Sequence, residues 1–410
     1  MGKQLVVIGG GAAGFFCAVN AARMNPDLSV TIIEKSNKFL AKVKVSGGGR
    51  CNVTHQCFEM GEMIKNYPRG ANFLKKAFHQ FFTTDTIKWF EARGVILKAE
   101  ADGRMFPITD SSQTIIDCLL REANKYGVEI LLKTEARSIQ YDDNKFTIQL
   151  SDLRRLAPDF ICVASGGLPK LSQFDWIKTL GHTIAEPVPS LFTFNMPGNK
   201  ISKLMGVSVP DVKIKISGTK LESQGPLLIT HWGMSGPAVL RLSAWGARAL
   251  AMGNWQFAIN INWLPDYNEN TLREKFALLR TQLSSQKLIN KNSFQLPQRL
   301  WEYFLQQANI SNEMRWADLP ARNQNHLISF LCNGEFAVKG KTIFKEEFVT
   351  AGGVMLNEVD VNTMESKKQK HLYFAGEILD VDGITGGFNF QNAWTTGWIA
   401  AKAIAAESNV

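Results

Sequence analysis

The sequence predicts an α/β fold: a parallel-sheet unit opened by the first residues, interrupted by a long insert, and completed by the last residues. Two observations predict it. An apolar run at 5–8 enters Gly9-Gly10-Gly11-Ala12-Ala13-Gly14, and a second apolar run at 29–33 ends in Glu34. That is strand, glycine turn, Ala-rich helix, strand and acid. The same style returns near the C-terminus, where 348–354 and 371–377 read as strands with glycines and 388–406 as a helix.

Each element has a reason. Gly9 permits the tight turn, Gly11 lets a phosphate approach bare backbone, and Gly14 lets the helix pack on the strand. The helix start at Ala12 and Ala13 offers free N–H groups and a partial positive charge. Glu34, followed by Lys35, stands where a ribose diol is held in dinucleotide-binding units. A glycine turn that only packs leaves Glu34 unexplained. The 45–52 stretch holds three successive glycines, which expose N–H groups to phosphate or ring atoms. Lys42 and Arg50 can neutralise a pyrophosphate there. Ser46 can bond it, and Gly47, Gly48, Cys51 and Asn52 line the same loop.

Further along, 71–82, 84–93 and 113–126 read as helices, 128–132 as a strand and 137–150 as a hairpin. The apolar strand 159–164 runs into Ala164-Ser165-Gly166, a second strand-to-glycine turn suited to close backbone approach. From about 187 the character changes. Segments 191–195, 206–209, 212–216 and 227–230 suggest a small antiparallel β unit. Helical patterns follow at 270–284, 298–307 and 321–331. The predicted organisation is therefore residues 1–190 with 348–410 as one discontinuous domain, and 191–347 as an insert, first β and then helical.

Composition narrows the class. The 410 residues favour two domains, and 45% apolar and 20% charged residues are ordinary for a soluble globular chain. No apolar run reaches the ~20 residues of a membrane helix. The first strand leaves no room for a signal peptide, so a cytoplasmic protein is expected. Six scattered cysteines make neither a disulfide framework nor a zinc site. Cys51 and Cys57 are one residue too far apart for the dithiol of disulfide reductases. The formal net charge of +9 admits an anionic substrate or a nucleic acid, but the lack of a long basic run favours an ordinary solvated surface and argues against a nucleic-acid partner.

Two C-terminal features point to a flavin. Gly376-Glu377 puts a carboxylate at a strand tip, where it can accept hydrogen bonds from a polyol such as a ribityl chain. Gly386-Gly387 precedes the helix at Phe388 and Asn389. Bare N–H groups and the helix dipole there would stabilise the negative charge of a reduced flavin. His231-Trp232 in the insert, 103–107, Asp380 and Asp382 could face a ligand or serve packing alone.

Four stretches carry a resemblance. They are SGGGRCNVT at 46–54, THWGMSGPAVLRLS from Thr230, VTAGGVMLNEVD from Val349 and YFAGEILDVDGITGGFNFQNAWTTG from Tyr373. The chain resembles the BaiN/YhiN-like flavoproteins along nearly its whole length. This implies a two-dinucleotide-binding-domain type of Rossmann-like FAD-binding domain, with an inserted β-barrel-plus-helical domain. Some members are named aminoacetone oxidases or reductases of unsaturated bile-acid intermediates. The resemblance places the FAD pyrophosphate at Gly11–Gly14 and its ribose at Glu34. Adenine would lie near Ala136, with further contacts from Lys42, Ser46, Gly47, Arg50 and Asn52. Ribityl and ring contacts fall to Glu377 and Gly387–Asn389. Leu40-Ala41 and His55 depart from the family pattern at the rim of the pyrophosphate loop.

The expectation is an FAD-dependent oxidoreductase acting on a small molecule, with either NAD(P)H as a transient electron donor or the substrate itself as donor and oxygen as acceptor. The alternatives are a flavin enzyme that modifies RNA and a non-catalytic FAD-binding regulator.

Overall fold

The first strand, Gln4–Ile8, is buried from Leu5 onward and lies at the centre of a five-stranded parallel sheet. In the computed structural model, which describes residues 2–143, 145–342 and 349–408, the sheet order is Leu372–Phe374, Phe160–Val163, Gln4–Ile8, Ser29–Glu34, Glu129–Leu132. All four pairings are parallel, with Val7 between Ile32 and Cys162. Central parallel strands are covered on both faces, which is why these segments read as continuous apolar runs. The C-terminal strand Leu372–Phe374 supplies one edge, so the two ends of the chain build one sheet.

The helices Ala12–Met24 and Phe388–Ser408 pack closely because small residues face each other. A methyl on Gly397 would come within 2.8 Å of the Ala13 carbonyl oxygen. Trp394 is fully buried, and its indole N–H donates to the Val53 carbonyl (2.9 Å), so no polar atom is stranded. Burying such side chains contributes about 1.5–3 kcal/mol each.

The chain forms two compact units, Met1–Ser190 with Phe344–Val410, and Leu191–Ile343. The first also holds the hairpin Ala136–Asp142/Lys145–Leu150 and a two-stranded ribbon, Ile184–Ser190 against Val349–Val354. Residue 348, read as the start of the returning strand, lies outside the described residues. The strand itself joins this antiparallel ribbon, not the parallel sheet.

The second unit is built on a seven-stranded antiparallel sheet. Gly334–Lys339 pairs with Gln256–Asn262 at one edge, and Lys341–Thr342 pairs with Thr193–Asn195 at the other. Only Gly340, at φ +106°, separates the two strands, so the sheet closes on itself as a barrel. The segments read as 206–209 and 212–216 are one strand, Ser208–Ile216, with a register shift between Val209 and Val212. Helices Glu269–Gln282, Gln298–Gln307 and Ala321–Asn333 bury Phe276, Trp301, Phe304 and Leu331 in the same core as Ile259, Ile261 and Phe336.

Candidate dinucleotide site

The glycine turn is built by close approaches. Gly9 sits at φ +116°, and its N–H donates to the Ile33 carbonyl (2.9 Å). A side chain on Gly14 would overlap the Gly9 carbonyl oxygen, so the helix can reach the strand only with glycine there. Gly11 caps the helix at φ −92°, and a Cβ placed on it meets nothing within 4 Å. The turn is therefore packed on one side and open on the other.

Glu34 closes over this turn. Its Oε2 accepts from the Gly10 N–H (2.9 Å) and its Oε1 from the Ser36 N–H (2.8 Å). Both bonds fix the carboxylate in place and leave lone pairs on each oxygen. The Glu34 carbonyl accepts from the Thr134 N–H (2.9 Å), two residues before Ala136. Lys35 is exposed.

Three further segments converge on the turn. Ala164 donates to the Ile8 carbonyl (2.8 Å), and a Cβ on Gly9 would be 2.8 Å from Ser165 Cα. Gly376, at φ +78°, comes so near the helix start that a Cβ would lie 2.8 Å from the Ala13 methyl. A Cβ on Gly166 would lie 3.9 Å from Glu377 Oε2. That same oxygen pairs with Lys42 Nζ at 2.6 Å, where Glu377 is 12% and Lys42 44% exposed. The acid predicted for a polyol and the cation predicted for a pyrophosphate thus neutralise each other.

The 41–52 segment is a short helical turn that breaks at Ser46, where φ/ψ become −61°/148°. Gly47, Gly48 and Gly49 follow at φ +58°, +69° and +85°, and Gly48 and Gly49 open onto free space. Ser46 Oγ donates to the Val43 carbonyl (3.0 Å). Arg50 turns to Glu100 and stacks over Phe106, 4.0 Å from the ring centre. Burial pushes the Cys51 thiol up to about 12, against a hydrogen bond with Ser46, so no thiolate forms near neutral pH. All six cysteines are free thiols.

A second cluster lies at the start of the last helix. With its amide oriented to satisfy both neighbours, Asn52 accepts from the Gly387 N–H (2.9 Å) and donates to the Thr54 carbonyl (3.0 Å). One of the N–H groups expected to face a flavin is therefore taken. His55 Nδ1 is 3.0 Å from the Gly386 carbonyl, and its ring stacks on Phe388 at 4.7 Å. The Asn389 amide staples both backbone groups of Gly383 (2.8 and 2.9 Å). Asp382 is fully buried between Arg69 and Ser190; burial raises its carboxyl pKa against the pull of Arg69. Neither Arg69 nor Ser190 was singled out by sequence, and no local pattern links positions so far apart. His231 is exposed, edge-on to Trp232 at 4.1 Å.

The donor set fits a dinucleotide cofactor. Ser165 Oγ is buried without a hydrogen-bond partner beside the turn, and Gly11, Gly48 and Gly49 leave space that any side chain would fill. An orphaned buried hydroxyl costs about 1–3 kcal/mol unless a ligand pairs with it.

Fold and site together define a Rossmann-type flavoprotein, a flavin-dependent oxidoreductase. Residues 3–403 match the HI0933-like protein Rossmann domain, and the chain belongs to that family. Among its relatives is the ribosomal RNA dihydrouridine synthase of Escherichia coli K12, 34% identical across 98% of both chains. The 3-dehydro-bile acid delta(4,6)-reductase of Clostridium scindens is 27% identical, over 98% of this chain and 99% of the relative. Among solved structures, 3-ketosteroid delta1-dehydrogenase from Sterolibacterium denitrificans shares the fold, with a TM-score of 0.52 at 12% identity. The match covers 99% of this chain and all of that one. Among the described residues, no helix is long and apolar enough to cross a membrane.

Proposed function

We propose that this protein is an FAD-dependent reductase of a carbon–carbon double bond conjugated to a carbonyl, and that its substrate is a uracil base in ribosomal RNA. The observation that carries the cofactor half is the cradle: an open glycine turn, a fixed Glu34 carboxylate and the orphaned Ser165 hydroxyl at the ends of adjacent parallel strands. Bound FAD would supply hydride transfer from NAD(P)H to the carbon β to that carbonyl.

The chain's own residues bind and orient. Backbone N–H groups from Gly11 to Gly14 would face the pyrophosphate, Glu34 the ribose hydroxyls, and the Ala136 backbone the adenine edge. Lys42 sits where its ammonium can shift from Glu377 to a phosphate, freeing the Glu377 carboxylate for ribityl hydroxyls. The Gly386–Asn389 turn, stiffened by Asn52 and His55, would support the ring.

The relatives support the chemistry through what their names share. Dihydrouridine arises when the uracil C5=C6 bond, conjugated to the C4 carbonyl, is reduced. A 3-keto bile acid with 4,6 unsaturation presents the same kind of conjugated system. The E. coli relative favours the RNA base, and the +9 charge agrees with a polyanionic substrate. The C. scindens relative favours a steroid-like enone as the second reading.

One assay separates the two. The yellow protein is bleached anaerobically with NADPH or NADH, then mixed with unmodified ribosomal RNA transcript or with a 4,6-dien-3-one steroid. Reoxidation by RNA, with a 2 Da gain on one uridine by mass spectrometry, is the expected result. Reoxidation by the steroid alone transfers the reading to the second substrate. A flavin that neither nicotinamide reduces overturns both.

A further inference from the structure

The +9 charge is unevenly placed. Residues 191–343 carry 17 Lys and Arg against 9 Asp and Glu, a net +8, which leaves +1 for the FAD-type unit that makes up the rest of the chain. A unit little more than a third of the chain thus accounts for nearly all of its positive charge. Net charge of one sign on one unit raises the local concentration of polyanions and speeds their encounter.

Within this unit one helix has an unusual outer face. Pro237–Met252 buries Ala238, Val239, Leu242, Ala247 and Leu250. On the other side Arg241, Trp245 and Arg248 follow at spacings of four and three, which puts them in one row. Trp245 is 46% exposed and Met252, two turns further, 89%. Tryptophan is highly buried on average, so a half-exposed indole in one helix row with two arginines calls for an explanation. Arg241 is half-buried and donates to the Gln224 carbonyl, while its Nε is buried without a hydrogen-bond partner. A stacking ring with cations on both sides is the arrangement by which single-stranded nucleic acid is held: every base has a face to stack, and the cations meet phosphates.

We propose that the Arg241–Trp245–Arg248 face of this helix is an RNA-binding surface, with Trp245 stacking on an unpaired base and the arginines meeting the flanking phosphates. The proposal rests on the RNA reading above and deepens it. It assigns recognition to the inserted unit and cofactor binding to the other.

The test uses the full-length FAD-loaded protein and a fluorescein-labelled stem-loop of ribosomal RNA, with fluorescence anisotropy followed from 50 to 200 mM KCl. Trp245→Ala should weaken binding about tenfold without changing the salt slope, and Trp245→Phe should restore most of it. Arg248→Gln should lower the slope of log Kd against log salt by about one. Far-UV circular dichroism and a thermal melt matching wild type report that the inserted unit of each variant is folded. Wild-type affinity and slope in both Trp245→Ala and Arg248→Gln, or a wild-type protein that does not bind RNA at 50 mM KCl, overturns the surface. If the face binds RNA but no uridine is reduced, the substrate reading fails and the surface stands. If uridine is reduced by Trp245→Ala with an unchanged KM, the surface fails and the substrate reading stands.

Discussion

Gly11 and Gly14 are one helical turn apart and face opposite demands. A methyl on Gly14 strikes the Gly9 carbonyl, whereas a methyl on Gly11 meets nothing and φ −92° suits alanine. Gly14→Ala should therefore destabilise the fold itself, by 3 kcal/mol or more as an order of magnitude for forced overpacking against backbone. Gly11→Ala should melt within about 2 °C of wild type, since an open site with permitted φ carries none of the known large penalties. It should nevertheless bind FAD at least tenfold more weakly, because the added methyl occupies the cradle. Thermal melts with flavin-quenching titrations check both, and a Gly11→Ala protein with wild-type FAD affinity would remove the pyrophosphate from this turn. At this scale the sequence made the turn and Glu34 legible, because their spacing is local. Arg50 was not legible: its partners Glu100 and Phe106 lie fifty and more positions downstream, and only the fold brings them under its guanidinium.

At the scale of elements, the short turn Leu356–Glu358 is tied to the segment before Ile184 by a buried cluster. His182 Nδ1 lies 3.1 Å from Glu358, its Nε2 lies 2.9 Å from Ser366 Oγ, and Lys368 pairs with Glu358 at 2.6 Å. Burial lowers the His182 pKa, with Glu358 only partly opposing it, so folding favours the neutral ring. Burial would raise the Glu358 carboxyl, yet Lys368 and the Thr183 N–H hold it at about 2. Both groups bind a proton more readily when unfolded, so both make acid destabilising. The His182 share is lost as pH falls below about 6.5. The Glu358 share is complete above its ordinary value of 4.5 and disappears toward 2. Lys368→Met should shift the acid-unfolding midpoint to higher pH and lower the pH 7 melting temperature by a few degrees. A circular-dichroism acid titration unchanged by the substitution would show that the ammonium does not hold the carboxyl down. Long amphipathic helices such as Gln298–Gln307 and Ser112–Lys125 were legible to within about one residue, because one polar and one apolar face give a clear period. The helix read over 71–82 stops at Ala77, where the chain tightens into turns: the His79 N–H donates to the Lys76 carbonyl (3.3 Å) and the Gln80 N–H to the Ala77 carbonyl (3.0 Å), while Phe78, Phe81 and Phe82 stay buried. The helix Pro237–Met252 was not legible in the sequence. Its small residues, Ala238, Ser243, Ala244 and Gly246, blur the hydrophobic period that would have marked it.

For the whole molecule, the way the insert leaves the FAD-type unit has a consequence. Ser190 and Val349 are direct partners at the end of the antiparallel ribbon, so the chain departs and returns at facing positions. A break between paired strand ends is the geometry that a two-residue hairpin closes, and Asn-Gly adopts the required turn with both central residues at positive φ. The sheet of this unit takes its strands from both chain ends, and its two long helices pack through Gly397 and Ala13, all outside residues 191–348. Replacing 191–348 by Asn-Gly should therefore give a folded protein that binds FAD and stays yellow through gel filtration. It should also lose most of the salt-sensitive affinity for RNA, because the deleted segment carries most of the net positive charge. A deletion protein that is soluble and helical by circular dichroism but colourless with excess FAD would mean that the insert contributes to the cofactor site. One that is yellow and still binds RNA with the wild-type salt slope would move recognition back to the FAD-type unit, and with it the division of labour between the two.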